Sequence, residues 1–169
     1  MEKSGKKKIV VKILILLLFL IIVIQFIRPE KNYHPVISAN EISSNYAVPD
    51  SIRNILKTSC YDCHSNNTYY PWYNNIQPLA WWLNRHIEEG KRELNFDEFT
   101  TYRIRKQYIK LDQIIKLIKK DEMPLNSYTL IHKNAVLNEQ QKGMIINWAS
   151  QIRDLIKNSY PPDSLVKKQ

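Results

Sequence analysis

The sequence predicts an all-α protein: a small helical domain preceded by one N-terminal transmembrane helix. Three observations carry this expectation. Beyond residue 50, apolar residues recur at three- and four-residue steps; no segment alternates apolar and polar residues as a half-buried strand would; and Ile9–Ile27, "IVVKILILLLFLIIVIQFI", is apolar apart from Lys12 and Gln25.

At ~1.5 Å per residue, Ile9–Ile27 would form a helix of roughly 28 Å, close to the hydrocarbon thickness of a bilayer. Lys6, Lys7 and Lys8 precede it and should remain cytoplasmic, placing everything after Arg28 on the outer side. A secretory signal also begins with a basic stretch and an apolar run, but "RPEKNYHP" lacks a small-x-small cleavage pattern, so an uncleaved anchor is expected. The chain is thus divided into a basic tail (1–8), a transmembrane anchor (9–27), a Pro-containing linker (28–48), a folded domain (49–158) and a flexible tail (159–169). The linker has no sustained period and carries Pro29 and Pro35.

Within the domain, Asp50 is placed to cap a helix that presents Ile52, Ile55, Leu56 and Ser59 on one face and runs into Cys60. A polar and aromatic loop spans 65–77. Pro78 suits the first turn of a second helix, with Leu79, Trp82, Leu83 and His86 on one stripe and Gly90 as its expected C-cap. Asn95 caps a short turn. A third long helix carries Tyr108, Leu111, Ile114, Ile115 and Ile118 and should stop before Pro124. Asn138 and Gln141 form a capping box for the last helix, whose apolar face is Met144, Ile145, Trp148, Ile152 and Leu155.

The formal charge is +9, but the residues before Arg28 contain five Lys and one acid, so much of the excess is confined to the N-terminus. The remaining basic residues are scattered among acids and make no nucleic-acid-like block, so no nucleic-acid partner is expected. The chain has two cysteines, Cys60 and Cys63. A disulfide between them would close so short a loop that it would constrain the unfolded chain weakly.

Those cysteines lie in "CYDCH", which fits C-x-x-C-H. On a helical turn, the spacing brings both thiols to a common side, where each can add to one haem vinyl group, and His64 follows as proximal iron ligand. Zinc would need four ligands, usually as two pairs, and there is no second pair; His34, His86 and His132 are single and dispersed. A redox dithiol of the thioredoxin kind would need a preceding strand. The distal ligand should come from downstream. Met123 in "KKDEMPLNSY" offers a soft thioether beside Pro124, while His86 and His132 compete with it and an open site remains a further alternative. Trp72, Tyr73 and Trp82, from a group that includes Tyr69, Tyr70 and Trp81, could line the pocket or simply build the core. Arg85, Lys91 and Arg92 could pair with propionates or face solvent. No catalytic residue is assigned.

The pieces S-C-Y-D-C-H-S-N, Y-P-W-Y, H-I-x-E-G-K, E-M-P and Y-T-L-I-H resemble the bacterial haem-binding domain family of cytochrome c type, over about Val48 to Ser150. The resemblance implies one covalent haem c held through Cys60, Cys63 and His64, with Met123 as distal partner, in a cytochrome c-like helical domain. It implies no reaction.

Taken together, the sequence leads to the expectation of a monohaem c-type cytochrome. It would be anchored in the bacterial inner membrane by a single pass, with its haem domain on the periplasmic side, and would pass single electrons to transient redox partners or a membrane respiratory complex. It is expected to be an electron carrier rather than an enzyme. The alternatives are a haem enzyme or gas sensor with a labile distal site, and a structural haem subunit of a membrane complex.

Overall fold

The computed structural model describes residues 2–34, 36 and 38–166. Pro35 of the expected linker and positions 167–169 of the expected tail lie outside the described residues. Eight α-helices are present among these: α1 Glu2–Ile24, α2 Asp50–Ser59, α3 Tyr61–His64, α4 Leu79–Glu93, α5 Ile104–Lys119, α6 Asn126–Thr129, α7 Glu139–Ser159 and α8 Pro162–Leu165. Short 3-10 turns occupy Ile42–Ser44, Trp72–Asn75, Phe96–Thr101 and Lys133–Ala135. No strand forms among the described residues beyond one isolated bridge between Tyr33 and Asn67. The all-α expectation agrees with this architecture.

The transmembrane expectation does not. Helix α1 stops at Ile24, and Gln25 and Phe26 turn the chain, so the last residues of the expected span are not helical. Lys12 interrupts what remains, and the unbroken apolar run Ile13–Ile24 is only ~18 Å long at ~1.5 Å per residue, against a hydrocarbon thickness of ~30 Å. Among the described residues no helix is long and apolar enough to cross a membrane. The anchor at 9–27, and with it the single-pass inner-membrane placement and the periplasmic orientation inferred from it, is corrected accordingly.

The chain divides into two compact units, one from the described residues of Met1–Lys31 and Tyr69–His86, the other from those of Asn32–Thr68 and Ile87–Gln169. In the first, the Gln25 side-chain amide donates to the Gln77 carbonyl at 3.2 Å and accepts from the Gln77 N–H at 2.9 Å. The Trp81 indole N–H donates to the Ile27 carbonyl at 2.8 Å. Tyr73, Ala80 and Leu83 are buried, whereas the apolar side chains of α1 are exposed along its length.

In the second unit the core joins α2, α5 and α7. Leu111, Ile115 and Ile118 of α5, at four- and three-residue steps, are buried beside Ile145, Trp148, Ala149, Ile152 and Ile156 of α7. On α7 the expected Leu155 is 58 % exposed and its neighbour Ile156 is buried. Ile156 lies four residues beyond Ile152, on the same stripe as Trp148 and Ala149, and this geometry selects it over Leu155. The capping box forms as expected, with the Gln141 N–H donating to Asn138 Oδ1 at 2.8 Å and the Asn138 N–H donating to Gln141 Oε1 at 3.0 Å.

Part of the segment read as linker contributes to this core. Ile42 is fully buried, Tyr46 donates its hydroxyl to Gln107 Oε1 at 2.5 Å, and the Trp148 indole N–H donates to the Ala47 carbonyl at 3.0 Å. Phe96 and Phe99, from the turn after α4, close the same cluster.

Leu111 is fully buried at the centre of this packing. Leu111→Ala is expected to destabilise the fold by about 2–5 kcal/mol, seen as a lower urea midpoint at an unchanged denaturant slope.

Candidate functional site

Helix α2 ends at Ser59, and the chain turns directly into α3, which carries Cys63 and His64. Cys60 is the junction. Its N–H donates to the Leu56 carbonyl at 2.8 Å, and its own carbonyl accepts from the N–H groups of Cys63 at 3.2 Å and His64 at 2.9 Å. One turn of backbone therefore sets the relative position of all three residues.

Helix α4 lies against this turn. An ideal Cβ placed on Gly90 would come 2.5 Å from the Cys63 carbonyl oxygen and 3.0 Å from Cys63 Cβ, closer than real Cβ atoms approach. Gly90 was expected to end the second helix. Instead α4 continues to Glu93, with the Leu94 N–H donating to the Gly90 carbonyl at 2.9 Å, and the glycine serves close helix approach rather than a left-handed cap.

That approach fixes the His64 ring. Its Nδ1 lies 3.0 Å from the Gly90 carbonyl and 2.9 Å from the Leu94 carbonyl. Carbonyl oxygens only accept, so Nδ1 carries the proton and Nε2 keeps its lone pair, the tautomer an iron ligand requires. Burial lowers the His64 pKa, outweighing the opposing pull of those two carbonyls, and Lys110 lowers it further, so the neutral ring is favoured. Both thiols are free. Burial pushes Cys60 up to about 12, with a further push from Cys63, and burial pushes Cys63 up to about 12, aided by the Asp62 carboxylate. Protonated thiols of this kind are poor material for a reactive dithiol, which works as thiolate.

Cys60 and His64 open onto a cavity of about 370 Å³, within the ~300–1,000 Å³ usual for ligand pockets. Its walls are largely apolar. Leu56 comes from α2, Leu94 and Phe96 from the turn after α4, Ile114, Leu117 and Ile118 from α5, and Ile145 from α7. Met123 and Pro124 complete the lining on the side of the α5–α7 connection. Among the described residues no three His, Cys, Asp or Glu side chains converge as a metal site, so nothing adds the further ligands zinc would need.

Met123 is delivered by the way α5 ends. The Glu122 N–H donates to the Leu117 carbonyl at 3.0 Å and the Asp121 N–H to the Ile118 carbonyl at 3.2 Å, the two bonds of a Schellman motif. Asp121 occupies its left-handed position, at φ 56°, where glycine is usual. Lys142 of α7 pairs with the Asp121 carboxylate at 2.5 Å. Met123 follows two residues later, partly buried against Ile118 and Ile145.

Of the sequence-derived candidates, the structure brings Cys60, His64 and Met123 to one cavity, with Cys63 on the adjoining turn. His132 and His86 do not line it. The His132 ring stacks on Tyr128 at 4.2 Å, and His86 belongs to the other unit, where its Nδ1–H donates to the Trp82 carbonyl at 2.8 Å. Trp72, Tyr73 and Trp82 also belong to that unit. There Trp72 is 73 % exposed, Tyr73 is buried, and Trp82 packs its ring 4.4 Å from His86. Lys91 donates to Asn32 Oδ1 at 2.5 Å.

Three lysines on α5 or just after it, Lys110, Lys116 and Lys120, line the cavity and were not singled out from the sequence. Lys110 is the most enclosed, its side chain 12 % exposed and paired with the exposed Glu93 at 3.1 Å. The available signal was their spacing: Lys110 lies four residues before Ile114 and seven before Leu117, on the same face.

The donor set fits haem. An imidazole with a free Nε2, a thioether and the Cys60 thiol border an apolar cavity with cations at its margin, the Cys63 thiol lies on the adjoining turn, and Gly90 leaves the space that seats that turn. Gly90→Ala is expected to force α4 from α3 and loosen the His64 hydrogen bonds. Haem retention per purified chain should fall, and the urea midpoint should fall with it; a variant matching the parent in both would remove Gly90 from the account.

A family model described as a haem-binding domain matches residues 19–151. No curated protein and no solved structure matches the chain. The match takes in both the His64 turn and the Met123 loop, and the chain belongs to the haem-binding domain family.

Proposed function

We propose that this chain is a monohaem c-type cytochrome whose role is single-electron transfer. The observation that carries the proposal is the convergence of Cys60, His64 and Met123 on one apolar cavity, with the lone pair of His64 left on Nε2. Haem iron, when bound, supplies one redox equivalent by cycling between its ferrous and ferric states.

The residues have distinct tasks. Cys60 and Cys63 would hold the group covalently, each S–H adding across one vinyl double bond so that sulfur and hydrogen end on neighbouring carbons. Keeping both thiols protonated is compatible with such an addition. His64 would ligate through Nε2, while the Gly90 and Leu94 carbonyls hold the ring's orientation and raise its basicity. Met123 would hold the iron through its thioether from the α5–α7 connection. A neutral thioether raises the reduction potential relative to a second imidazole. With His64 and Met123 both holding the iron, no coordination site would remain for a substrate, which favours electron transfer over catalysis. The apolar walls contributed by Leu56, Leu94, Phe96 and Ile145 would keep water from the iron. Lys110, the most enclosed of the three lysines that line the cavity, would supply a positive charge for a propionate. Redox partners would meet the domain through small, transient contacts.

Two variants test this assignment. Cys60→Ala combined with Cys63→Ala is expected to abolish haem staining after denaturing electrophoresis, whereas persisting stain would overturn covalent attachment. Met123→Ala is expected to remove the methionine-to-ferric-iron charge-transfer band and let carbon monoxide bind the reduced protein readily. An unchanged band would move the distal ligand away from Met123 to another methionine, and ready carbon monoxide binding by the unsubstituted protein would move the reading to an open-site haem protein.

A further inference from the structure

We infer that Tyr128 is a positioning residue that ties the Met123 loop to the attachment turn through Asp62, and so governs how readily Met123 leaves the iron. This inference rests on the reading of Met123 as distal ligand.

The Tyr128 hydroxyl donates to Asp62 Oδ2 at 2.6 Å. The two residues are 66 positions apart in sequence. Asp62 is one of the two residues between Cys60 and Cys63 and sits in α3 with His64. Tyr128 sits in α6, five residues beyond Met123. The hydrogen bond therefore joins the two segments that bear the proposed axial ligands. At 2.6 Å it is in the short range of a hydroxyl donating to a carboxylate, the stronger class of hydrogen bond.

Both ends are prepared for it. The Asp62 backbone carbonyl accepts from Thr68 Oγ1 at 2.7 Å, which steadies α3 beyond its own single turn. The Tyr128 ring lies 4.2 Å from the His132 ring at an interplanar angle of 9°, so its plane is set by stacking before the hydroxyl finds its acceptor. The Met123 loop is thus held on its N-terminal side by the Schellman motif and the Asp121–Lys142 ion pair, and on its C-terminal side by Tyr128. A thioether is a weak iron ligand, so its occupancy depends on how seldom the loop opens. Removing this restraint would raise the open population and expose the iron to competing ligands.

The test is an imidazole titration of the ferric holoprotein, followed by the methionine-to-iron charge-transfer band. Tyr128→Phe keeps the ring and its stacking on His132 but removes the donor. It is expected to lower the imidazole concentration for half displacement about tenfold, the effect of losing one hydrogen bond to a charged group. Asp62→Asn keeps an acceptor oxygen without the charge and should give a smaller shift in the same direction. Tyr128→Phe combined with Asp62→Asn should go no further than Tyr128→Phe alone. Covalent haem content should stay at the parent value throughout, which separates a positioning role from a general loss of fold. A Tyr128→Phe midpoint within about twofold of the parent, or additive effects in the double variant, would overturn the inference while leaving Met123 ligation intact. Absence of the band in the parent protein would overturn Met123 ligation and the tie together.

Discussion

The close contact between Gly90 and Cys63 is the constraint on which the site depends. A helix can approach another backbone this closely only where no side chain intervenes, and the absent Cβ at Gly90 leaves room for the Cys63 carbonyl. Because α4 is so near, the carbonyls of Gly90 and Leu94 reach His64 Nδ1 and set both the orientation and the tautomer of the ring. The ligand's chemistry thus follows from a packing distance. The same contact requires α4 to run past Gly90 to Glu93, which carries Leu94 and Phe96 into the cavity wall.

The wall contributed by α5 and α7 is built differently. Helices α5 and α7 pack along regular apolar stripes, and their strength comes from buried area at Leu111, Ile115, Trp148 and Ile152. What they contribute to the site is an ending: the backbone bonds at Asp121 and Glu122 stop α5 so that Met123 emerges at the cavity margin. One wall is set by a single close approach and the other by a helix terminus. The Tyr128–Asp62 hydrogen bond links the segment after Met123 to the turn that carries Cys60, Cys63 and His64.

Several elements were legible because their causes are local. The 3.6-residue period marked α2, α4, α5 and α7, and the Asn138–Gln141 capping box could be read because its partners are three residues apart. C-x-x-C-H places Cys60, Cys63 and His64 on one turn for the same reason. Leu155 and Ile156 show the limit of such reading: both fit a helical period, and only the direction of the neighbouring helices decides which is buried. Gly90 shows another, since a glycine near a helix end is usually a cap and nothing in its neighbours announces a backbone approaching from residue 63. The apolar N-terminal run was overread because its length was counted without the place where the helix stops and with Lys12 tolerated inside it. Aromatic density near "CYDCH" suggested a pocket wall at Trp72, Tyr73 and Trp82, whereas the aliphatic residues of α5 line the cavity.

The sequence by itself determined the helical class, the shared turn of Cys60, Cys63 and His64, and the candidacy of Met123, all of which depend on residues within a few positions of one another. Only the tertiary structure decided which nitrogen of His64 is free, which lysines border the cavity, and that Met123 rather than His86 or His132 lines it. Those outcomes depend on contacts between segments tens of residues apart, such as Gly90 with Cys63 and Tyr128 with Asp62, and spacing along the chain carries no record of them.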